Sequence, residues 1–134
     1  MQTFLPYPSF AKSAACLDRQ RLGKQRVEAF QILKALQPDS KSGWRNHPAV
    51  RMWRGYEDAL RHYFNIVSLE WVKRGYRHNM GMQHVSDSPE MPFWFGDIAF
   101  HLSHQSNLIR KFPDHYRPIF GYILVDCIPY IWPA

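Results

Sequence analysis

The chain lacks most of what a secreted, membrane-spanning or cofactor-holding protein needs. It has two cysteines in 134 residues, Cys16 and Cys127. They form no CxxC pair, so neither a zinc knuckle nor a thioredoxin-like centre is indicated. No stretch approaches the roughly 18 apolar residues of a membrane span. Residues 1–12 carry Pro6 and Pro8 and no apolar segment of the kind a secretory signal needs. The expectation is a cytoplasmic protein with free thiols. Glycine-rich nucleotide loops, HExxH and GxSxG are missing, which removes support for nucleotide-fold, zinc-protease and hydrolase-elbow readings. Acidic residues are scarce, 11 against 17 Lys plus Arg, leaving +6 before seven histidines are counted. That excess favours an anionic partner, nucleic acid first and an acidic membrane surface second. A basic protein with no such partner is the plain alternative.

What is present is apolar and aromatic. Apolar residues make up 46% and aromatics 16%, enough for one globular domain over residues 1–134 with a proper core. Residues 1–12 read as an extended arm, because each proline disfavours helix at the residue before it. A first long helix is expected from about Ser13 to Gln37, with Leu22, Arg26, Ala29, Leu33 and Leu36 on one face and Ile32 beside them. Pro38 ends it. A second is expected from Pro48 to the stop at Gly75, about 27 residues and roughly 40 Å long. Residues 76–96 read as an irregular functional loop. Asp97 caps a third helix running to about Lys111. An aromatic, proline-rich tail then packs in extended form over the helices. The fold class is all-α, three main helices with an arm and a tail. The expected core contains Leu22, Ala29, Leu33, Trp53, Leu60, Phe64 and Trp71.

Three constellations carry possible chemistry. Arg19, Arg21, Lys24, Arg26, Arg45, Arg51 and Arg54 crowd the first half, with aromatics between them. That mixture suits phosphate contacts plus stacking on unpaired bases; a solvated face with ordinary i,i+4 pairs is the alternative. Glu28 is a lone carboxylate on the face of Arg21, Lys24 and Gln31. It can do acid/base or electrostatic work beside a polyanion, although spacing alone favours a surface pair with Lys24. Arg45, Asn46 and His47 stand at a helix start, where free N–H groups can meet a phosphate and His47 adds a donor or acid; alternatively Asn46 or His47 simply caps the helix. His101 and His104 share a helix face three residues apart. Without a third ligand at suggestive spacing they read as phosphate-binding or packing residues, not as a metal site.

The run LDRQRLGKQRVEAFQIL followed by GWRNHPAV resembles the pyrimidine-dimer DNA glycosylase and AP-lyase family, the phage endonuclease V type. So do HPAVRMWRGYEDALRHYFNIVSLEWVKRGY and SHQSNLIRKFPDHY, and together these motifs cover most of residues 12–120. The resemblance implies a monomeric, cofactor-free and metal-free all-α enzyme that acts on damaged duplex DNA. It implies that the N-terminal amine attacks the sugar C1′, displaces the base and forms an imine, which permits β-elimination. An α-amine suits this, its reference pKa being about 8. Glu28 is the carboxylate the resemblance carries over. Gln2 is large, so Met1 is expected to stay and supply the amine; Gln2 takes that role if Met1 is removed. Val27 stands where the family has an arginine, so Arg26 or Lys24 takes its part. Implied DNA contacts are Arg19, Arg21, Lys24, Arg26, Arg45, Asn46, His47, His104, Lys111 and Tyr116. A basic DNA-binding module without catalysis and a small protein-interaction domain remain alternatives.

Overall fold

The structure, a computed structural model, describes residues 1–122 and 127–133. Six α-helices and no strand appear among the described residues: α1 (Phe10–Cys16), α2 (Arg19–Ala35), α3 (Pro48–Arg51), α4 (Glu57–Lys73), α5 (Ile98–Lys111) and α6 (Pro113–Phe120). The chain is all-α, as its periodicity predicts. None of these helices is long and apolar enough to cross a membrane.

The expected first helix is two helices. Leu17 and Asp18 are extended, and the Asp18 side chain caps α2 by accepting the Arg21 N–H at 3.4 Å. A short acidic side chain competes well for free helix N–H groups, so it starts a helix more readily than it continues one. The expected second helix also breaks. Gly55 takes φ +88°, a conformation with little steric cost only for glycine, and α4 starts afresh at Glu57. Glu57 and Asp58 lie in its first turn, where their charges complement the helix dipole. At 17 residues, α4 is roughly 26 Å long, not 40 Å. Asp97 caps α5 as expected, donated to by the Ala99 N–H at 3.1 Å. Pro113 occupies the first turn of α6, where its missing N–H is not needed.

In the buried stripe of α2, three expected members, Arg26, Leu33 and Leu36, give way to the residue before each. The buried members are Leu22, Gln25, Ala29, Ile32 and Ala35. Arg26 and Leu33 fall at the edge. Leu22, Ala29, Trp53, Leu60 and Phe64 are buried as expected, whereas Leu33 and Trp71 are half-buried. α2 and α1 both pack on α4, and α5 packs on α6. An aromatic cluster fills the centre: Trp53 stacks on Tyr63 with centroids 6.1 Å apart and meets Trp94 edge-on at 5.0 Å. Arg74 closes α1, donating to the Ala15 carbonyl at 3.0 Å while Glu70 holds its Nε at 3.0 Å. Residues 76–96 are irregular, as expected, but tethered. Asn65 exchanges two 2.8 Å hydrogen bonds with the Gln83 backbone, and Asp58 accepts from Ser86.

Candidate active site

The arm is a rod threaded through the core. Thr3, Phe4, Leu5 and Pro6 are buried, so their peptide groups need partners inside the protein. Side chains supply them. On α2, Gln25 accepts the Phe4 N–H at 3.0 Å and donates to the Gln2 carbonyl at 3.0 Å. Tyr63 on α4 faces the Phe4 carbonyl at 3.1 Å and the Gln25 amide oxygen at 2.5 Å. On α5, His104 Nδ1 accepts the Leu5 N–H at 2.9 Å, while His101 Nδ1 lies 2.7 Å from the Leu5 carbonyl. Gln105 donates to the Pro6 carbonyl at 2.8 Å. Ser13 both accepts from and donates to the Tyr7 peptide at 3.2 and 3.1 Å.

The two histidines must hold opposite tautomers. His101 donates from Nδ1 and accepts the Gly96 N–H on Nε2 at 2.9 Å, whereas His104 accepts on Nδ1. Both are therefore neutral. Burial drives the His104 imidazole well below its usual range, with the neighbouring His101 adding to the effect. Burial likewise lowers His101, partly offset by its bond to Leu5 and by Asp97. The tail crosses the same helix. Ile128 N–H and Ile131 N–H donate to Ser106 and Ser103 at 3.1 and 3.2 Å, and Tyr130 donates to the Thr3 carbonyl at 2.8 Å. Residues 127–133 lie over the helices without regular structure, but the first part of the tail, expected to be extended, is the helix α6, because Pro113 suits a helix's first turn; residues 123–126 and 134 lie outside the described residues.

The rod ends in a cavity of about 190 Å³ lined by Met1, Gln2, Phe4, Gln20, Arg21, Lys24, Gln25, Glu28 and Lys111. Residue 1 and Glu28 therefore face one small space. Glu28 accepts a hydrogen bond from Gln25 at 3.2 Å, so one amide orients both the carboxylate and the Gln2 carbonyl. The Lys24–Glu28 pair that spacing favours is not made: the ion pairs among the described residues are Arg21–Asp18, Arg61–Asp58 and Arg74–Glu70. A wider opening of about 710 Å³ adjoins, lined by Arg19, Gly23, Val27, Gln31 and Trp71, and shares Gln20, Lys24 and Glu28 with the first. Gly23 permits this wall. A Cβ there would stand 3.0 Å from the Trp71 ring, tight enough to force the indole away.

The expected site residues thus divide. Met1, Gln2, Arg21, Lys24, Glu28 and Lys111 come together, with Arg19 at the adjoining mouth. Arg21 is also held by Asp18 at 3.3 Å. Arg26 turns away; its guanidinium lies 4.6 Å over the Trp71 ring and 2.8 Å from His78, and burial draws its pKa down. Arg45 and Asn46 are exposed on the loop before α3. His47 caps α3 by accepting the Ala49 N–H at 3.0 Å. Burial first, and then the charge of the terminal amine, lower its pKa, so it sits within electrostatic reach of residue 1. His104 and Tyr116 are fully buried. His104 holds the arm. The Tyr116 hydroxyl accepts the Asp18 N–H at 3.0 Å and donates to the Asp18 carboxylate, clasping α6 to the start of α2. Sequence reasoning missed Gln25, Tyr63 and Tyr130. For Gln25 a signal existed: an amide between Leu22 and Ala29 in the phase of the buried stripe.

The chain belongs to the pyrimidine dimer DNA glycosylase family, whose model matches residues 1–84. It is a DNA repair glycosylase by class. The matched stretch contains the arm, Glu28, the GWRNHPAV run and α4. No curated protein and no solved structure matches the chain.

Proposed function

We propose that this protein is a DNA glycosylase with AP-lyase activity that uses the amine of residue 1 as nucleophile and Glu28 as its carboxylate. The observation that carries this reading is the buried arm, which delivers residue 1 to the cavity that Glu28 lines. Immobilising two reacting groups together lowers the entropic barrier to their use. The amine lone pair bonds to C1′ as the C1′–N bond breaks, and the departing base keeps that electron pair and takes up a proton. The amine loses one proton, the sugar ring opens and O4′ gains a proton, leaving a protonated imine at C1′. Removal of a C2′ proton then expels the 3′ phosphate. Glu28 stabilises the cationic stages and accepts that proton. Arg19, Arg21, Lys24 and Lys111 surround this space with positive charge suited to the phosphates of duplex DNA. The reacting nucleotide must leave the stack, at a cost that is lowest where pairing is damaged.

Borohydride reduction on a duplex with an abasic site tests the reading. It should trap a covalent adduct that peptide mapping places on residue 1. Glu28→Gln should keep DNA affinity but lose strand cleavage by 100-fold or more, on the order expected for a lost general acid–base group. An adduct on Lys24, or wild-type cleavage by Glu28→Gln, would overturn it.

A further inference from the structure

Beside the reactive end lies an aromatic surface that the mechanism leaves unused. Trp44 is 51% exposed and Trp132 is 36% exposed. The His47 ring stands between them, edge-on to both, at 5.3 Å from Trp44 and 5.7 Å from Trp132. Trp132 packs on Tyr130 at 4.4 Å, and the Tyr130 hydroxyl grips the Thr3 carbonyl, two residues from the terminus. The group is therefore built onto the arm that carries the amine.

Nor is Trp44 on a slack loop. Its N–H donates to Ser42 Oγ at 3.1 Å, and its carbonyl accepts the His47 N–H at 2.9 Å. The Ser42 N–H is held by Ser40 Oγ at 3.2 Å, and Arg54 holds the Arg45 carbonyl at 2.7 Å. An exposed indole with both backbone groups bonded is preorganised, so little side-chain or loop freedom is lost when it stacks on a partner. Arg45, Arg51 and Arg54 are exposed nearby in sequence, which favours a polyanion over an apolar protein surface. An aromatic face in a basic field is the combination that binds unstacked bases, and exposed wedges of this kind enter gaps in a duplex.

We propose that Trp44, backed by His47 and Trp132, stacks on the nucleobase laid bare when the reacting nucleotide leaves the duplex, and so holds the gap open beside residue 1. The inference rests on the glycosylase reading, and it makes Trp44 a specificity-determining residue.

The test is the ratio of affinities for two duplexes, one with a central tetrahydrofuran abasic analogue and one fully paired. The wild type should prefer the gapped duplex. Trp44→Ala should lose about tenfold or more of that preference, the scale of one base–aromatic stack, and Trp44→Phe should recover most of it. Equal melting temperatures for the variants exclude a folding effect. An unchanged ratio for Trp44→Ala overturns the stacking role and leaves the glycosylase reading standing. If the wild type traps no adduct under borohydride, that reading fails, and the affinity ratio still decides whether Trp44 stacks.

Discussion

Two of the segments without regular secondary structure, the N-terminal arm and the loop at residues 76–96, are held in opposite ways. The arm, residues 2–7, runs through the interior with its peptide groups bonded to Gln25, Tyr63, His101, His104, Gln105 and Ser13. The loop at residues 76–96 lies mostly at the surface and is pinned at separate points by Asn65, Asp58 and Arg26. Solvent can satisfy most of the loop's backbone, so few partners suffice. The arm has no such reserve, because a buried unpaired peptide group costs about 1–3 kcal/mol. The polar side chains on buried faces of α2 and α5 are the counterpart of that need. The difference also suits the chemistry. A terminal segment would ordinarily fray, and here the interior clamps the one that bears the proposed nucleophile.

The comparison should break most visibly at Gln25. Gln25→Leu keeps the size and removes the partners of the Phe4 N–H and the Gln2 carbonyl. It should destabilise the protein by about 3 kcal/mol, a fall of roughly 10 °C in melting temperature. Residue 1 should lose its fixed position, so borohydride trapping should fall further than the fraction unfolded explains. A Gln25→Leu protein that melts and traps like the wild type would show that the arm needs no amide.

Acid should loosen the arm next. His104 is neutral in the fold, with its pKa well below the unfolded value of about 6.5. The unfolded chain therefore binds more protons below that value. The histidine's contribution is fully present above about pH 6.5 and is lost as pH falls towards the folded pKa. A group so placed loses at most about 1.4 kcal/mol per pH unit, hence at most about 2 kcal/mol between pH 7 and pH 5. Denaturant titrations of the wild type and His104→Asn at both pH values should differ in slope by up to that amount. Parallel pH dependence would mean that His104 charges inside the fold.

The smallest effect should come from the loop. Asn65→Ala removes both bonds to Gln83, yet water can replace them at this partly buried site. A loss of about 1 kcal/mol or less is expected, with faster amide exchange confined to residues 80–86. A loss as large as that for Gln25→Leu would erase the distinction between the two segments.

Much of this was legible in the residues. The 3/4 spacing of apolar side chains marked α2 and α4, Asp97 marked the start of α5, and Gly75 marked the end of α4. The run carrying Glu28, read with GWRNHPAV, pointed to the family. Other features were not legible for specific reasons. Asp18 and Gly55 sit within periodic apolar stretches, and only packing decides whether such a residue is spanned or breaks the helix. His104 and Tyr116 belong to types that bind DNA at surfaces, and burial assigned them to the arm and to Asp18. The phase of the α2 stripe depended on Gln25, which a hydrophobicity pattern counts as polar and therefore outward.

The amino-acid order by itself determined the helical class, the excess of positive charge, the lone carboxylate at Glu28 and the extended character of an arm holding Pro6 and Pro8. Those follow from local sterics, side-chain period and composition, which act over a few residues. Which groups meet Glu28 was decided only by the tertiary structure. Residue 1 lies 27 positions away in the chain, Lys111 lies 83 away, and the His104 that steers the arm lies 99 positions from its Leu5 partner. Contacts at such separations are set by the requirement that each buried peptide group of the arm find a donor or acceptor, and no local pattern encodes that requirement.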